Sequence, residues 1–216
     1  MHTLLDQFYI PLVDINVDVD KVRQEIYNIV KPQIGIDCGL TCQLEDLNND
    51  NFSFTKYSGQ RKFNPHSRHI LATGEDDRDL VHWPRSLQGS YIQQLGKLFS
   101  EYLEIGPPRA RSSLLYKDHA NVNLNWHVDN HTPFRVHIAV ETTPECLWKF
   151  RNDTESLTVH QPITSTPVLI QTAIQHDIHV PKGHRRLHIW YQFHTEPKKE
   201  LIDNLIAKYQ LTQSNI

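Results

Sequence analysis

The triplet His127-x-Asp129 closes a run, residues 121–129 (NVNLNWHVD), that has the alternating texture of a strand. Residues two apart in a strand point to one face, so His127 and Asp129 share a side, opposite Val122, Leu124, Trp126 and Val128. An imidazole beside a carboxylate supplies two of the three ligands of a facial Fe(II) site, which keeps positions open for other molecules. The third ligand has to be a histidine from elsewhere in the chain. His176 and His179 stand ahead of the turn signal Pro181-Lys182-Gly183. They are an odd number of residues apart, so in an extended segment only one of them faces the metal.

Two further runs place basic groups on one side of an apolar strand. In 134–140 (FRVHIAV), Phe134, Val136, Ile138 and Val140 alternate with Arg135 and His137. In 186–193 (RLHIWYQF), Leu187, Ile189, Tyr191 and Phe193 alternate with Arg186, His188, Trp190 and Gln192. Turned to solvent, these polar faces are unremarkable. Turned inward, each guanidinium needs an anion, because an unpaired buried charge is strongly destabilising. The planar fork of arginine takes a carboxylate bidentately, so an inward Arg186 suits a dicarboxylate.

Taken in order, His127-x-Asp129, Arg135-x-His137-Ile138, His176-Asp177-Ile178 and Arg186-Leu187-His188-Ile189 resemble a known family. It is the aspartyl/asparaginyl β-hydroxylase-like branch of the Fe(II)/2-oxoglutarate oxygenases, which includes free-proline hydroxylases with an H-x-D…R-x-H…H-S-V…R-I-H-L pattern. The resemblance spans roughly residues 109–193. It implies Fe(II) on His127, Asp129 and His176, and 2-oxoglutarate as co-substrate with O2. The distal carboxylate of 2-oxoglutarate would lie on Arg186, and its metal-chelating end near Arg135 and His137. The implied reaction is hydroxylation of an unactivated C–H of an amino acid or a peptide residue, proline ahead of aspartate or asparagine. Ten residues separate His176 from Arg186, the family's spacing, which favours His176 over His179. The chain departs from the pattern at Val180, where the branch carries Asn, and His179, His184 and Arg185 crowd the same turn. Two other readings use the same residues: a non-catalytic jelly-roll module that binds a metal or small molecule, and a zinc hydrolase. The hydrolase leaves the two inward arginines unexplained.

These side chains need short strands to hold them. Turn signals divide the chain from Arg109 onward into eight expected strands, 112–117, 121–128, 134–141, 147–151, 156–160, 168–171, 178–180 and 186–194. Helical spacing marks 18–30, 87–103 and 198–209, the last two bounded by Gly106-Pro107-Pro108 and Pro197. Residues 33–79 are polar and punctuated by Asn, Asp and Gly, so loops with short strands such as 53–57 are expected there. No helical pattern alternates with the strands, which argues against an open parallel sheet. The expected class is mainly β with flanking helices, a double-stranded β-helix (jelly roll, cupin-like). One oxygenase domain of 216 residues is expected, with a helical and loop buttress at 1–108, a jelly-roll core at 109–195 and a C-terminal helix at 196–216.

Composition narrows the partners. A net charge of −3 and a pI near 6.5, with no Lys/Arg run, give no footprint for nucleic acid. No apolar stretch reaches the ~18 residues of a membrane span, and the first residues lack a secretory signal, so a cytoplasmic protein is expected. Cys38, Cys42 and Cys146 are an odd set without a second pair for zinc, and read as reduced thiols. Ten of the fourteen histidines lie between His119 and His194, and most have to be structural. His66, His69 and His82 read as surface residues, Trp126 as core, Trp83-Pro84-Arg85 as a helix lead-in, and His188 as a satisfied interior histidine. Tyr116 is a loose candidate for co-substrate contact. Oligomeric state has no signature in the sequence.

Overall fold

A computed structural model describes residues 8–32, 34, 36–39, 56–58, 83, 85–129, 133–193 and 195–213. In chain order its strands are β1 (Tyr9–Pro11), β2 (Ile36–Gly39), β3 (Lys56–Ser58), β4 (Arg109–Leu115), β5 (Val122–Asn123), β6 (Phe134–Glu141), β7 (Leu147–Arg151), β8 (Ser156–His160), β9 (Val168–Gln171), β10 (Gln175–Val180) and β11 (Arg186–Phe193). The α-helices are α1 (Val19–Glu25), α2 (Tyr91–Tyr102) and α3 (Lys199–Gln213). One antiparallel sheet runs β1-β9-β6-β11-β4-β2-β3, and a second runs β5-β10-β7-β8. The fold is a double-stranded β-helix with helices packed outside its larger sheet.

Alternation explains the layering. Val136, Ile138, Leu187, Ile189, Tyr191 and Phe193 point to one side and pack with Val22, Ile26, Ile92, Leu95, Phe99 and Leu205 of the helices. A second core fills the space between the sheets, with Trp148 and Phe150 of β7 against Ile178 and Val180 of β10. All eight residues of β11 are therefore buried, half against helices and half toward the second sheet. Burying both faces at about 25 cal/mol per Å² of apolar surface makes this strand the anchor of the molecule.

The helices are tied to the sheet by specific bonds. Asp18 caps α1 by accepting from the Lys21 amide at 3.0 Å. A π-helical turn, Ile26–Val30, continues α1, and Lys31 ends it at φ 51. Glu25 accepts from the Tyr91 and Ile92 amides at 2.8 and 2.9 Å, so one helix caps the start of the next. Tyr191 of β11 donates its hydroxyl to the Ile92 carbonyl at 2.8 Å, and Arg23 of α1 donates to the Val140 carbonyl of β6 at 2.8 Å.

Several boundaries differ from the sequence expectation. α2 begins at Tyr91 rather than Leu87, because Gly89 turns the chain at φ 75 and Ser90 accepts from the Gln93 amide. β1 was not expected from Tyr9-Ile10-Pro11; it is an edge strand, where proline is tolerated because no ladder bond needs its missing N–H. β4 starts at Arg109 and β10 at Gln175, both three residues earlier than the alternation suggested. Within 33–79 the described strands are β2 and β3; His66 and His69, like His82 just beyond, lie outside the described residues. Cys146 is a buried free thiol, Cys42 lies outside the described residues, and nothing is described of the Cys38 side chain. No helix among the described residues is long and apolar enough to cross a membrane.

Candidate metal centre

The strand expected at 121–128 is only two residues long, because Asn125 adopts φ 65 and breaks the alternation. The chain then re-pairs at His127, whose amide donates to the His176 carbonyl at 3.0 Å while the His176 amide donates back to the His127 carbonyl at 2.9 Å. Two residues on, the Asp129 amide donates to the Thr172 carbonyl at 2.9 Å. These bonds bring His127, Asp129 and His176 together, with one ligand atom from each lying within 4.8 Å of the others. His179, the rival to His176, points to the other face of β10 and meets the Asn123 side chain at 2.7 Å. The break at Asn125 also undoes the apolar face expected there. Leu124 and Val128 are exposed, and Trp126 lies under the Arg151 guanidinium at 4.2 Å instead of entering the core.

Both histidines have their free nitrogen fixed by the backbone. The His127 Nδ1 is 2.7 Å from the Asn125 carbonyl, and the His176 Nδ1 is 2.9 Å from the Ile174 carbonyl. A carbonyl only accepts, so each Nδ1 carries a proton, which leaves each Nε2 as the nitrogen that can face a metal. The His176 Nε2 faces Asp129 Oδ2 at 3.4 Å, close enough for a cation or a proton to bridge the two. Arg135 Nη2 holds the same oxygen at 2.7 Å. Burial pushes the Asp129 carboxyl up, but His176 and the Arg135 charge outweigh it and hold its pKa at about 2. Burial pulls the His127 pKa down. The cluster therefore offers two imidazole nitrogens and one carboxylate, the donor set of a facial Fe(II) site and equally of zinc.

The cluster opens on a cavity of about 200 Å³ between the two sheets. Its floor is β11, which contributes Arg186, Trp190 and Gln192, and β6, which contributes Arg135 and His137. Trp148 and Ile178 of the smaller sheet face them. Arg186 is 2% exposed; its guanidinium lies 4.9 Å from the Trp148 ring centre and donates to His188 Nδ1 at 3.1 Å. Burial, then the charges of Arg135 and Arg186, drives the His137 pKa well below the usual imidazole range. His188 is driven down likewise by burial and then by Arg186. Both rings are neutral near pH 7, so each can accept as well as donate.

No protein-family model matches the sequence, and no curated protein matches it. Solved structures of similar fold include a 2OG-Fe(II) oxygenase family oxidoreductase from Burkholderia pseudomallei, at 15% identity and a TM-score of 0.40. That match covers 55% of this chain and 60% of the other, so the chain spans under two thirds of that relative's length. A prolyl-4-hydroxylase from Pseudomonas putida is 10% identical with a TM-score of 0.43, covering 88% of this chain and 94% of the other. A cupin domain from Bordetella pertussis tohama i is 10% identical with a TM-score of 0.31, covering 40% and 81%. Identities this low bear on the fold alone, and what the site can do is set by its own side chains.

Arg111, Trp148 and Leu124 are among the lining residues that escaped the sequence reading. Arg111 fell outside the strand expected to start at Ser112, although its spacing to Ser113 and Leu115 marks the same face. Trp148 of β7 lines the cavity from the opposite sheet and had no motif to flag it. Leu124 and His127 are of opposite strand parity and still line one cavity, because Asn125 resets the chain between them. Tyr116 is not among the lining residues; it donates its hydroxyl to Asp118.

Proposed function

We propose that this chain is an Fe(II)- and 2-oxoglutarate-dependent oxygenase that hydroxylates an unactivated C–H bond of an amino acid or a peptide residue, proline first. One observation carries the reading: the His127/Asp129/His176 cluster and the buried Arg186 line the same cavity. A zinc hydrolase accounts for the cluster but has no use for a guanidinium shielded from water at the floor of its pocket. A dicarboxylate does, because the planar fork of arginine takes a carboxylate bidentately. The proline preference rests on the resemblance of the motifs to free-proline hydroxylases.

His127 and His176 would hold the metal through Nε2 and Asp129 through its carboxylate. Arg186 would take the distal carboxylate of 2-oxoglutarate through its paired N–H groups. His137 lies between Arg135 and the Trp190 ring, neutral, and can donate to an oxygen near the metal. Arg135 keeps Asp129 ionised and oriented. Trp148 and Trp190 wall the cavity with large apolar rings. Fe(II) bound here with 2-oxoglutarate would use O2 as the oxidant, one oxygen atom going to succinate as CO2 leaves and the other to the hydroxylated C–H.

The test is succinate formation from 2-oxoglutarate with Fe(II), with substrates screened by a gain of one oxygen in mass. His127→Ala should abolish metal binding and turnover. Arg186→Gln should weaken 2-oxoglutarate about 10- to 100-fold, the worth of a hydrogen bond to a charged group, while metal binding persists. Hydrolysis indifferent to 2-oxoglutarate, or stoichiometric binding without turnover of any substrate, would refute the proposal.

A further inference from the structure

The pocket face of the larger sheet carries a third arginine besides Arg135 and Arg186. Arg111 of β4 pairs with Trp190 of β11, and Trp190 pairs with His137 of β6. One rung across three neighbouring strands therefore reads Arg111, Trp190, His137, and all three line the cavity. Arg186 lies four residues along β11 from Trp190, opposite Leu115. Four residues of strand span about 13 Å, so the two arginines are rooted at separate levels of the pocket. Arg186 is 2% exposed, whereas Arg111 is half-buried and nearer solvent.

A second observation points to a ligand at this rung. Trp190 is 8% exposed, and its indole Nε1 has no hydrogen-bond partner among the described residues. An indole N–H only donates, and a buried donor without an acceptor is destabilising. His137, 2% exposed, has both ring nitrogens in the same condition. An incoming oxygen between Arg111 and these rings would satisfy the donors.

We propose that Arg111 and the Trp190 indole N–H form a carboxylate subsite distinct from Arg186, and that the substrate enters with a free carboxylate. A free amino acid is the smallest molecule of that class; an internal prolyl residue of a peptide lacks the group. This rests on the oxygenase reading of the same site, and narrows its substrate from amino acid or peptide to a carboxylate-bearing one.

The experiment measures melting temperature anaerobically, with Mn(II) and saturating 2-oxoglutarate. Ligands are the twenty standard L-amino acids, their carboxamides, and a proline peptide blocked at both ends. At least one free acid should stabilise the protein, and its carboxamide should not. Titration of that acid should show binding weakened about 10- to 100-fold in Arg111→Gln and restored in part by Arg111→Lys. Trp190→Phe keeps the ring and removes the N–H, and should weaken the acid several-fold, which covers the case of an Arg111 variant that does not fold. In every variant the shift produced by 2-oxoglutarate itself should persist. Loss of that shift in Arg111→Gln would assign Arg111 to the co-substrate and overturn the inference. So would a carboxamide or blocked peptide that binds as well as the acid, or no response to any acid. Absence of a 2-oxoglutarate shift in the unaltered protein would instead sink the oxygenase reading.

Discussion

Acidification from pH 7.5 to 5.5 should destabilise the metal-free protein by about 3 kcal/mol, because two histidines are folded in their neutral form. His137 is 2% exposed and His188 1% exposed. Burial lowers both pKa values well below the ordinary one, and then cations do: Arg135 and Arg186 against His137, and Arg186 against His188. In the unfolded chain each ring takes up a proton near pH 6.5, which the folded ring refuses. Stability is thus full above pH 6.5 and falls as the pH drops below it, until the folded pKa is reached. A ring that stays neutral in the fold forfeits about 1.4 kcal/mol at pH 5.5, and two forfeit about 3. His127, also lowered by burial, acts in the same direction. Asp129, held at about 2, does not titrate in this window.

Urea unfolding in a chelator at pH 7.5, 6.5 and 5.5 and constant ionic strength reads this directly. His137→Phe is the control, because a phenyl ring can keep the stack on Trp190, now at 5.7 Å and 14°. It should remove about half of the pH dependence. A stability flat across the window, or an unchanged slope in His137→Phe, would refute the assignment of two neutral buried rings.

Two further outcomes follow from the same geometry. Asp129→Asn should cost at least tenfold in Mn(II) affinity by calorimetry, and the affinity contributed by Asp129 should not change between pH 5 and 8, since its carboxyl stays ionised. Tyr191→Phe removes the 2.8 Å bond to the Ile92 carbonyl and should lower stability by about 1 kcal/mol in urea, with metal affinity unaltered.

Where alternation and turn signals coincide, the sequence was legible to the residue: β6, β7, β8 and β9 have the bounds expected of them. The jelly roll itself followed from those strands. The expected grouping of His127 with Asp129 reached the same two side chains by a path the fold does not take. Strand parity was assumed through 121–129, but Asn125 at φ 65 interrupts the strand, and the isolated pairing of His127 with His176 restores it. A positive φ at a single Asn has no periodicity to betray it. His176 and His179 do face opposite ways, as their odd spacing required, because β10 begins early enough to include both. Arg111 was lost for the converse reason, a strand that begins three residues before its alternation becomes visible. Pairing partners such as Trp148 belong to another sheet, and no local pattern encodes that.

The link between the helical layer and the pocket runs through one irregularity. β11 pairs Leu187 with Glu141 and His188 with Ala139, so Val140 is the extra residue of a β-bulge. A bulge leaves backbone groups outside the ladder and re-aims the side chains beside it. Arg23 of α1 takes the Val140 carbonyl at 2.8 Å, which removes the cost of leaving it unpaired. The bulge also brings Glu141 opposite the helix-facing Leu187, where Arg185 meets its carboxylate at 3.0 Å and Tyr27 donates to it. Arg186 is the next residue in β11, so the strand end that presents the guanidinium is fixed from behind by α1. Without the bulge, the pairing of β6 with β11 beyond it would shift by one residue, and a one-residue shift exchanges the faces of a strand. The helical layer is therefore part of what positions the anion end of the cavity, while the backbone pairing of His127 with His176 positions the metal end.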